Sequence, residues 1–497
     1  MLFRPVAFVA LALTLPFSSF SAKATADDKD ASFYNQSGSD KYAQGDLDGA
    51  ISDYDHAIRL NPRMAKAYYN RGLAKYDKGS LAGAISDYDQ AIKINPDYED
   101  AYVNRGLAKD DNNDLDGAIA DDDAALKLDP KDPYAYNNRG WAKYRKGDCD
   151  AAIADYNKAI GLEPSLSQPY NDRGVAERDK GQVTEALADY THAIQLDADD
   201  DQAYYNRAVA RNDEDDPAGA LTDYGQAIKI DPKYTDAYIG RAETEASQND
   251  WDSAIADYNS AIGLKSDDTT IYNERGLTWY HDGNSDKAMA DYNAALQFDP
   301  RNTFALDNRG NLKKDLGNLG GALTDYNQAL TIDDKDGNIY NNRGIVKEMQ
   351  GDLTGAWADY TKALELDPKN AEACGNLSSV CNDRGDWDGA IQNANRALVL
   401  VQDFAQAYNN RGVAEYQEHN LTVALADFDC ALQIDPNDEH AYNNRGLAEQ
   451  ARGDVEAAID DFDFAMQIDP QFSQAQHNRG LAKWRQGNFL GALEDLY

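Results

Sequence analysis

The chain has 497 residues, with 48 Lys and Arg against 87 Asp and Glu and a formal net charge of -39. Such a surface repels phosphate backbones and bare anionic bilayers, so nucleic acid is excluded as a partner while neutral or basic proteins and peptides stay open. The length also exceeds what one core organises, roughly 250–300 residues, unless the chain is built of repeats that each pack only on their neighbours.

The N-terminus differs from everything after it. Arg4 precedes an apolar run at residues 6–15 (VAFVALALTL), and the small-residue sites Ala22-Lys23-Ala24 and Ala24-Thr25-Ala26 follow. A basic start, a short apolar stretch and an A-x-A end are the marks of a secretory signal peptide. The run falls well short of the roughly 20 residues that span a bilayer. Residues 1–26 are therefore expected to be a signal peptide, with a short leader at 27–30. The expected location is outside a bacterial cytoplasm, periplasmic or secreted, with no membrane span.

From Ala31 onward the chain repeats every 34 residues. Arg recurs from 71 to 479, with Leu377 as the one interior gap, and Gly or Ala follows it in most units. One Ala series runs from 50 to 492 and a second from 57 to 465, both without exception, and Pro closes most units. The units are 31–64, 65–98, 99–132, 133–166, 167–200, 201–234, 235–268, 269–302, 303–336, 337–370, 371–404, 405–438 and 439–472, plus a truncated unit at 473–497. Each reads as two helices, in the second unit about 67–78 and 81–94. Gly79 supplies the left-handed turn between them, and Pro96 stops the second.

With an aromatic at repeat position 4, Gly or Ala at 8, Ala at 20, an aromatic at 24, Ala at 27 and Pro at 32, the pattern resembles the tetratricopeptide repeat. Tyr68, Gly72, Ala84, Tyr88, Ala91 and Pro96 carry it in unit 65–98. The resemblance implies an all-α solenoid, a right-handed superhelix of helix-turn-helix units, that binds an extended peptide along its inner face and catalyses nothing.

Asp stands before the second-helix aromatic in nearly every unit, so each unit pairs an Arg with an Asp: Arg71 with Asp87, Arg105 with Asp121, Arg139 with Asp155, Arg343 with Asp359. Unit 371–404 has lost both, to Leu377 and Asn393. An unpaired buried charge is costly, and the joint loss reads as a structural ion-pair ladder.

Positions 2, 5, 6, 9, 12 and 13 share one face of the first helix. Position 6 is Asn70, Asn104, Asn138, Asn206, Asn308, Asn342, Asn376, Asn410, Asn444 and Asn478, and position 12 offers Tyr76, Tyr144, Tyr280 and Tyr416. A carboxamide both donates and accepts, so a row of them can grip the backbone of an extended segment. The alternative is that each Asn satisfies backbone groups in its own repeat. Position 5 is never Lys, so the clamp for C-terminal carboxylates known in chaperone-binding members of the family is missing.

No cofactor is expected. The six His show no ligand spacing, and the acidic clusters at Asp121-Asp122-Asp123 and Asp213–Asp216 lack calcium-loop spacing, so no metal is expected either. Cys149, Cys374, Cys381 and Cys430 are expected to be free, and unit 371–404 to be the softest joint. The exposed apolar residues Leu490, Leu493, Leu496 and Tyr497 raise the alternative of homo-oligomers stacked through that end.

Overall fold

The computed structural model describes residues 26–496. The signal-peptide segment therefore lies outside the described residues except for Ala26, as does Tyr497.

Each 34-residue period closes into two helices packed on one another. The first are α1 (Ala26–Ala43), α2 (Leu47–Leu60), α3 (Ala65–Asp77), α4 (Leu81–Ile94), α5 (Glu99–Asp111), α6 (Leu115–Leu128), α7 (Pro133–Arg145), α8 (Cys149–Leu162) and α9 (Gln168–Asp179). The alternation continues to the helix Phe489–Leu496, giving 28 helices and no strand among the described residues. The molecule is an all-α solenoid. Its residues divide into two compact units, one ending at Leu264 and the other beginning at Lys265.

The turn inside each pair needs a left-handed residue. Gly79 takes it at φ 77, and where Gly is missing Asn113, Asp215, Asn249 and His419 adopt φ of 58 to 64. The next residue is then free to cap the second helix. Asp46 accepts from the Gly49 N–H at 2.9 Å, and Asp148 from the Ala151 N–H at 3.0 Å.

Both Ala series are buried throughout, at 0–1 % exposure. They mark the crossings where helices approach most closely, and larger side chains there would overpack. The position-24 aromatic fills the space beside them. A Cβ on Gly72 would sit 2.6 Å from Tyr88 Cε1, so the small residue at position 8 exists to admit that ring.

Unit 371–404, expected to be soft, carries an extensive apolar cluster. Leu377 replaces the ladder Arg at 7 % exposure, and Cys374, Val380 and Cys381 are buried beside it. Leu377 joins this cluster in place of the ladder guanidinium, so the lost Asp leaves no unpaired buried charge.

Candidate functional site

The position-6 carboxamides do not stand alone. All but Asn138 donate through Nδ2 to the position-5 residue of the repeat before, 35 residues upstream. Asn70 reaches Asn35 Oδ1 at 3.1 Å, Asn206 reaches Asn171 at 3.0 Å and Asn308 reaches Asn273 at 3.0 Å. Asn376 reaches Asn341 at 3.1 Å, Asn444 reaches Asn409 at 3.0 Å and Asn478 reaches Asn443 at 2.8 Å. The same contact runs from Asn342 to Asp307 Oδ1 at 3.0 Å, from Asn104 to the Tyr69 hydroxyl at 3.2 Å, and from Asn410 to the Gly375 carbonyl at 3.0 Å. The donor half of these nine groups is thus engaged between repeats. The Oδ1 acceptors stay available on the first-helix face, except that of Asn376, which accepts from Gln406 Nε2 at 3.2 Å.

The position-12 tyrosines form a second row of the same kind, pointing the other way. Tyr76 donates to Asp111 Oδ2 at 2.6 Å, Tyr144 to Asp179 at 2.5 Å and Tyr280 to Asp315 at 2.5 Å, each one repeat downstream. Burial and Asp179 together raise the Tyr144 phenol well above its ordinary range. Tyr416 instead packs beside Leu425 and Phe428.

The Arg–Asp pairs lie deeper. Arg71 Nε donates to Asp87 Oδ2 at 2.8 Å, Arg105 to Asp121 at 2.7 Å, Arg139 to Asp155 at 2.8 Å and Arg343 to Asp359 at 2.8 Å, each with a second bond through Nη2. These fork-to-fork pairs have two supports that the sequence reading missed. Nη1 reaches back one repeat to position 25, as in Arg139 to Asp123 at 2.6 Å and Arg343 to Asn327 at 2.7 Å. The guanidinium also lies over the position-4 ring, 5.3 Å from the centroid for both Arg139 over Tyr136 and Arg343 over Tyr340.

Position 11 decides how well each buried Asp is neutralised. Lys143 Nζ stands 2.6 Å from Asp155, and Lys313 stands 2.6 Å from Asp325. Four other repeats place Glu there, as Glu177, Glu245, Glu415 and Glu449. Burial first, and then the neighbouring Asp189, Asp257 and Asp461, push Glu177, Glu245 and Glu449 each up to about 7. Their Oε2 atoms are buried without a hydrogen-bond partner.

The first-helix row breaks at one place. Val103 occupies position 5 of repeat 99–132, so the Asn138 side chain finds no polar partner there and makes no hydrogen bond among the described residues. Beside it opens a cavity of about 330 Å³, lined by α5, α7, the start of α9 and the connections before them. Val103, Leu107, Pro133 and Leu166 form an apolar wall, and Glu99, Asp100, Asp129 and Asp132 surround it with Lys131 as the one cation. Asn137 donates to Asp172 Oδ2 at 3.0 Å, and Gln168 donates to Asp172 Oδ1 at 2.8 Å. Burial, opposed by these two donors, leaves the Asp172 carboxyl at about 7.

Behind this cavity Asp122 replaces the position-24 aromatic. It is fully buried with neither oxygen hydrogen-bonded, and burial raises it far above the usual carboxylate range. Trp141 and Asp110 border the same small gap. Among the described residues no group of three or more His, Cys, Asp and Glu could hold a metal ion, and no helix is long and apolar enough to cross a membrane. All four cysteines are free, Cys374 and Cys381 buried and the other two half-buried.

The family described as tetratricopeptide repeat matches residues 35–99, 103–167, 239–303 and 383–439, about half of the chain. A related TPR repeat family matches 174–212 and 310–351, and another tetratricopeptide repeat family matches 201–234. No curated protein matches the sequence. Among solved structures, a chain of the APC/C hetero-tetramer Cut9-Hcn1 is 13 % identical over 91 % of this chain and 96 % of that one, with a TM-score of 0.51, a likeness of fold. A tetratricopeptide repeat protein from Parabacteroides merdae is 21 % identical over 50 % of this chain and 98 % of its own, at a TM-score of 0.41. MamA is 27 % identical over 34 % of this chain and 92 % of its own, at 0.32.

Proposed function

The chain belongs to the tetratricopeptide repeat family, and we propose that it is a non-enzymatic scaffold that holds an extended, neutral or basic segment of a partner protein along its first-helix face. The observation that carries this reading is the row of position-6 carboxamides in six consecutive repeats, Asn308 to Asn478. Their Nδ2 groups are tied to the repeat before, which fixes the rotamer. In five of the six the Oδ1 atom accepts no hydrogen bond among the described residues, and these acceptors suit the N–H groups of an extended backbone. Fixing the side chains beforehand lowers the entropy lost on binding. The net charge of -39 favours a basic segment and speeds its approach. We place the encounter in an exported bacterial compartment, on the composition of residues 1–26.

Immobilised residues 27–497 should capture a partner from a periplasmic or secreted extract through a segment that can be mapped by proteolysis. Changing Asn308, Asn342 and Asn444 to Ala should abolish capture while far-ultraviolet circular dichroism stays helical. Changing Lys229, Asp252 and Glu365 on second helices should leave it intact. Equal capture by both triples contradicts the proposal.

A second reading, self-association, rests on the exposed Trp484, Phe489, Leu490 and Leu493, which are 47–80 % accessible. Sedimentation at several concentrations separates the two, since a monomer at every concentration removes it.

A further inference from the structure

We propose that the cavity between α5, α7 and α9 receives one arginine side chain of the bound segment. The inference rests on the scaffold reading above and adds to it a place and a side chain.

Three observations converge there. The repeat-to-repeat row is interrupted by Val103, so Asn138 turns an unengaged carboxamide toward the cavity. Asn137, also in the lining, is 6 % exposed, and its Nδ2 is spent on Asp172 while its Oδ1 is buried with no donor in reach. Glu99 Oε1 is in the same condition. Buried acceptors without donors are rare and costly, and a ligand that brings N–H groups satisfies them.

The charge around these acceptors selects the kind of donor. Glu99 and Asp100 come from α5, and Asp129 and Asp132 from the connection to α7. Asp172 lies behind on α9, and Lys131 is the one opposing charge in the lining. A cation is favoured, and no set of three ligating side chains could hold a metal ion among the described residues. The cation is therefore organic. A volume of about 330 Å³ lies at the small end of ligand pockets, which run to roughly 1,000 Å³, and suits a side chain better than a free metabolite. Val103, Leu107, Pro133 and Leu166 would cover its aliphatic stem. Guanidinium fits better than ammonium because its five donors spread in a plane over several acceptors and it is more weakly hydrated.

Glu99 adds a signature. Burial first, and then the neighbouring Asp132, push its carboxyl up to about 9, so near neutrality Glu99 keeps its proton while the cavity is empty. An entering guanidinium replaces that proton, which passes to the buffer.

The test titrates residues 27–497 with three capped hexapeptides of Ala and Ser that differ only in a central Arg, Lys or citrulline. Calorimetry is run at pH 7.5 in two buffers of different ionisation enthalpy. The Arg peptide should bind about tenfold more tightly than the Lys peptide and still more tightly than the uncharged citrulline peptide, with net proton release. Glu99→Gln combined with Asp132→Asn should weaken it by about tenfold or more and abolish the proton release. Val103→Asn, which gives Asn138 the partner found in sister repeats, should weaken it while leaving the helical spectrum unchanged. Equal binding of the Arg and citrulline peptides, or no heat from either up to about 10 mM, overturns the proposal. If the Arg peptide fails while the captured partner still depends on Asn308, Asn342 and Asn444, the cavity assignment falls and the scaffold reading stands. If the Arg peptide binds and the triple has no effect on capture, the scaffold reading falls and the cavity remains.

Discussion

Changing Glu177 to Lys copies into repeat 167–200 the residue that repeat 133–166 already carries at position 11. In the native chain Glu177 lies near Arg173, 3.7 Å away, but that guanidinium is already forked onto Asp189 at 2.6 Å. The carboxyl is therefore held near 7 by burial and by Asp189. A raised carboxyl binds its proton more tightly in the folded chain than in the unfolded one. The stability it provides is complete below about 4.5 and is lost as the pH rises through about 7. A rise of that size corresponds to about 3 kcal/mol in the ionised state, and solvent reaching the half-buried group cuts it to about 1–2 kcal/mol. The new Lys would also meet Asp189 as Lys143 meets Asp155, at 2.6 Å, which adds up to about 1 kcal/mol. The expected gain is about 2 kcal/mol at pH 8.5 and under about 1 kcal/mol at pH 5. Urea midpoints at both pH values measure it, with hydrogen exchange in residues 167–200 as the local reading, because a repeat array need not unfold in one step. A gain that is the same at both pH values, or a loss at pH 8.5, refutes the electrostatic reasoning.

Arg309→Leu should cost about 2–4 kcal/mol by leaving Asp325 with Lys313 alone, and adding Asp325→Asn should recover at least half, as Leu377 and Asn393 coexist in unit 371–404; a double-mutant cycle on urea midpoints measures the coupling. Asp122→Tyr together with Trp141→Leu should raise stability by about 2–3 kcal/mol, by removing an unpartnered buried carboxyl and filling the gap beside Gly106. A lower melting temperature for that pair contradicts the packing account. Native labelling with a maleimide at pH 7.5 should modify Cys149 and Cys430 well before the buried Cys374 and Cys381, whose thiols burial raises, Cys381 to about 11.

The helical fold was legible because each column of the repeat has one steric duty. The Ala series at 50–492 and 57–465 could be read as close crossings from their constancy alone, and Gly72 with Tyr88 as a small residue admitting a ring. The chemistry of the site was harder to read, because its contacts link different columns of adjacent repeats. Asn70 meets Asn35, and Tyr76 meets Asp111, both 35 residues away. The 34-residue alignment sets such partners in separate columns. The signal was nonetheless present, since an Asn at position 6 often follows an Asn at position 5 one repeat earlier. Position 11 shows the same difficulty. Lys143 and Glu177 look like ordinary surface variation until Asp155 and Asp189 are found beneath them. In repeat 371–404 the charge pair gives way to Leu377 and Asn393, and Leu377 packs among the buried Cys374, Val380 and Cys381, a compensation that spans several columns.

The most direct test of the scaffold account places a photo-crosslinking amino acid at Tyr134, Asn138 or Asn308 on first helices, and at Lys127, Lys158 or Lys229 on second helices. The captured partner should crosslink through one extended segment to the first-helix positions and not to the second-helix ones. Crosslinks confined to Lys127, Lys158 or Lys229 would show that the partner sits on the other face and would contradict the account.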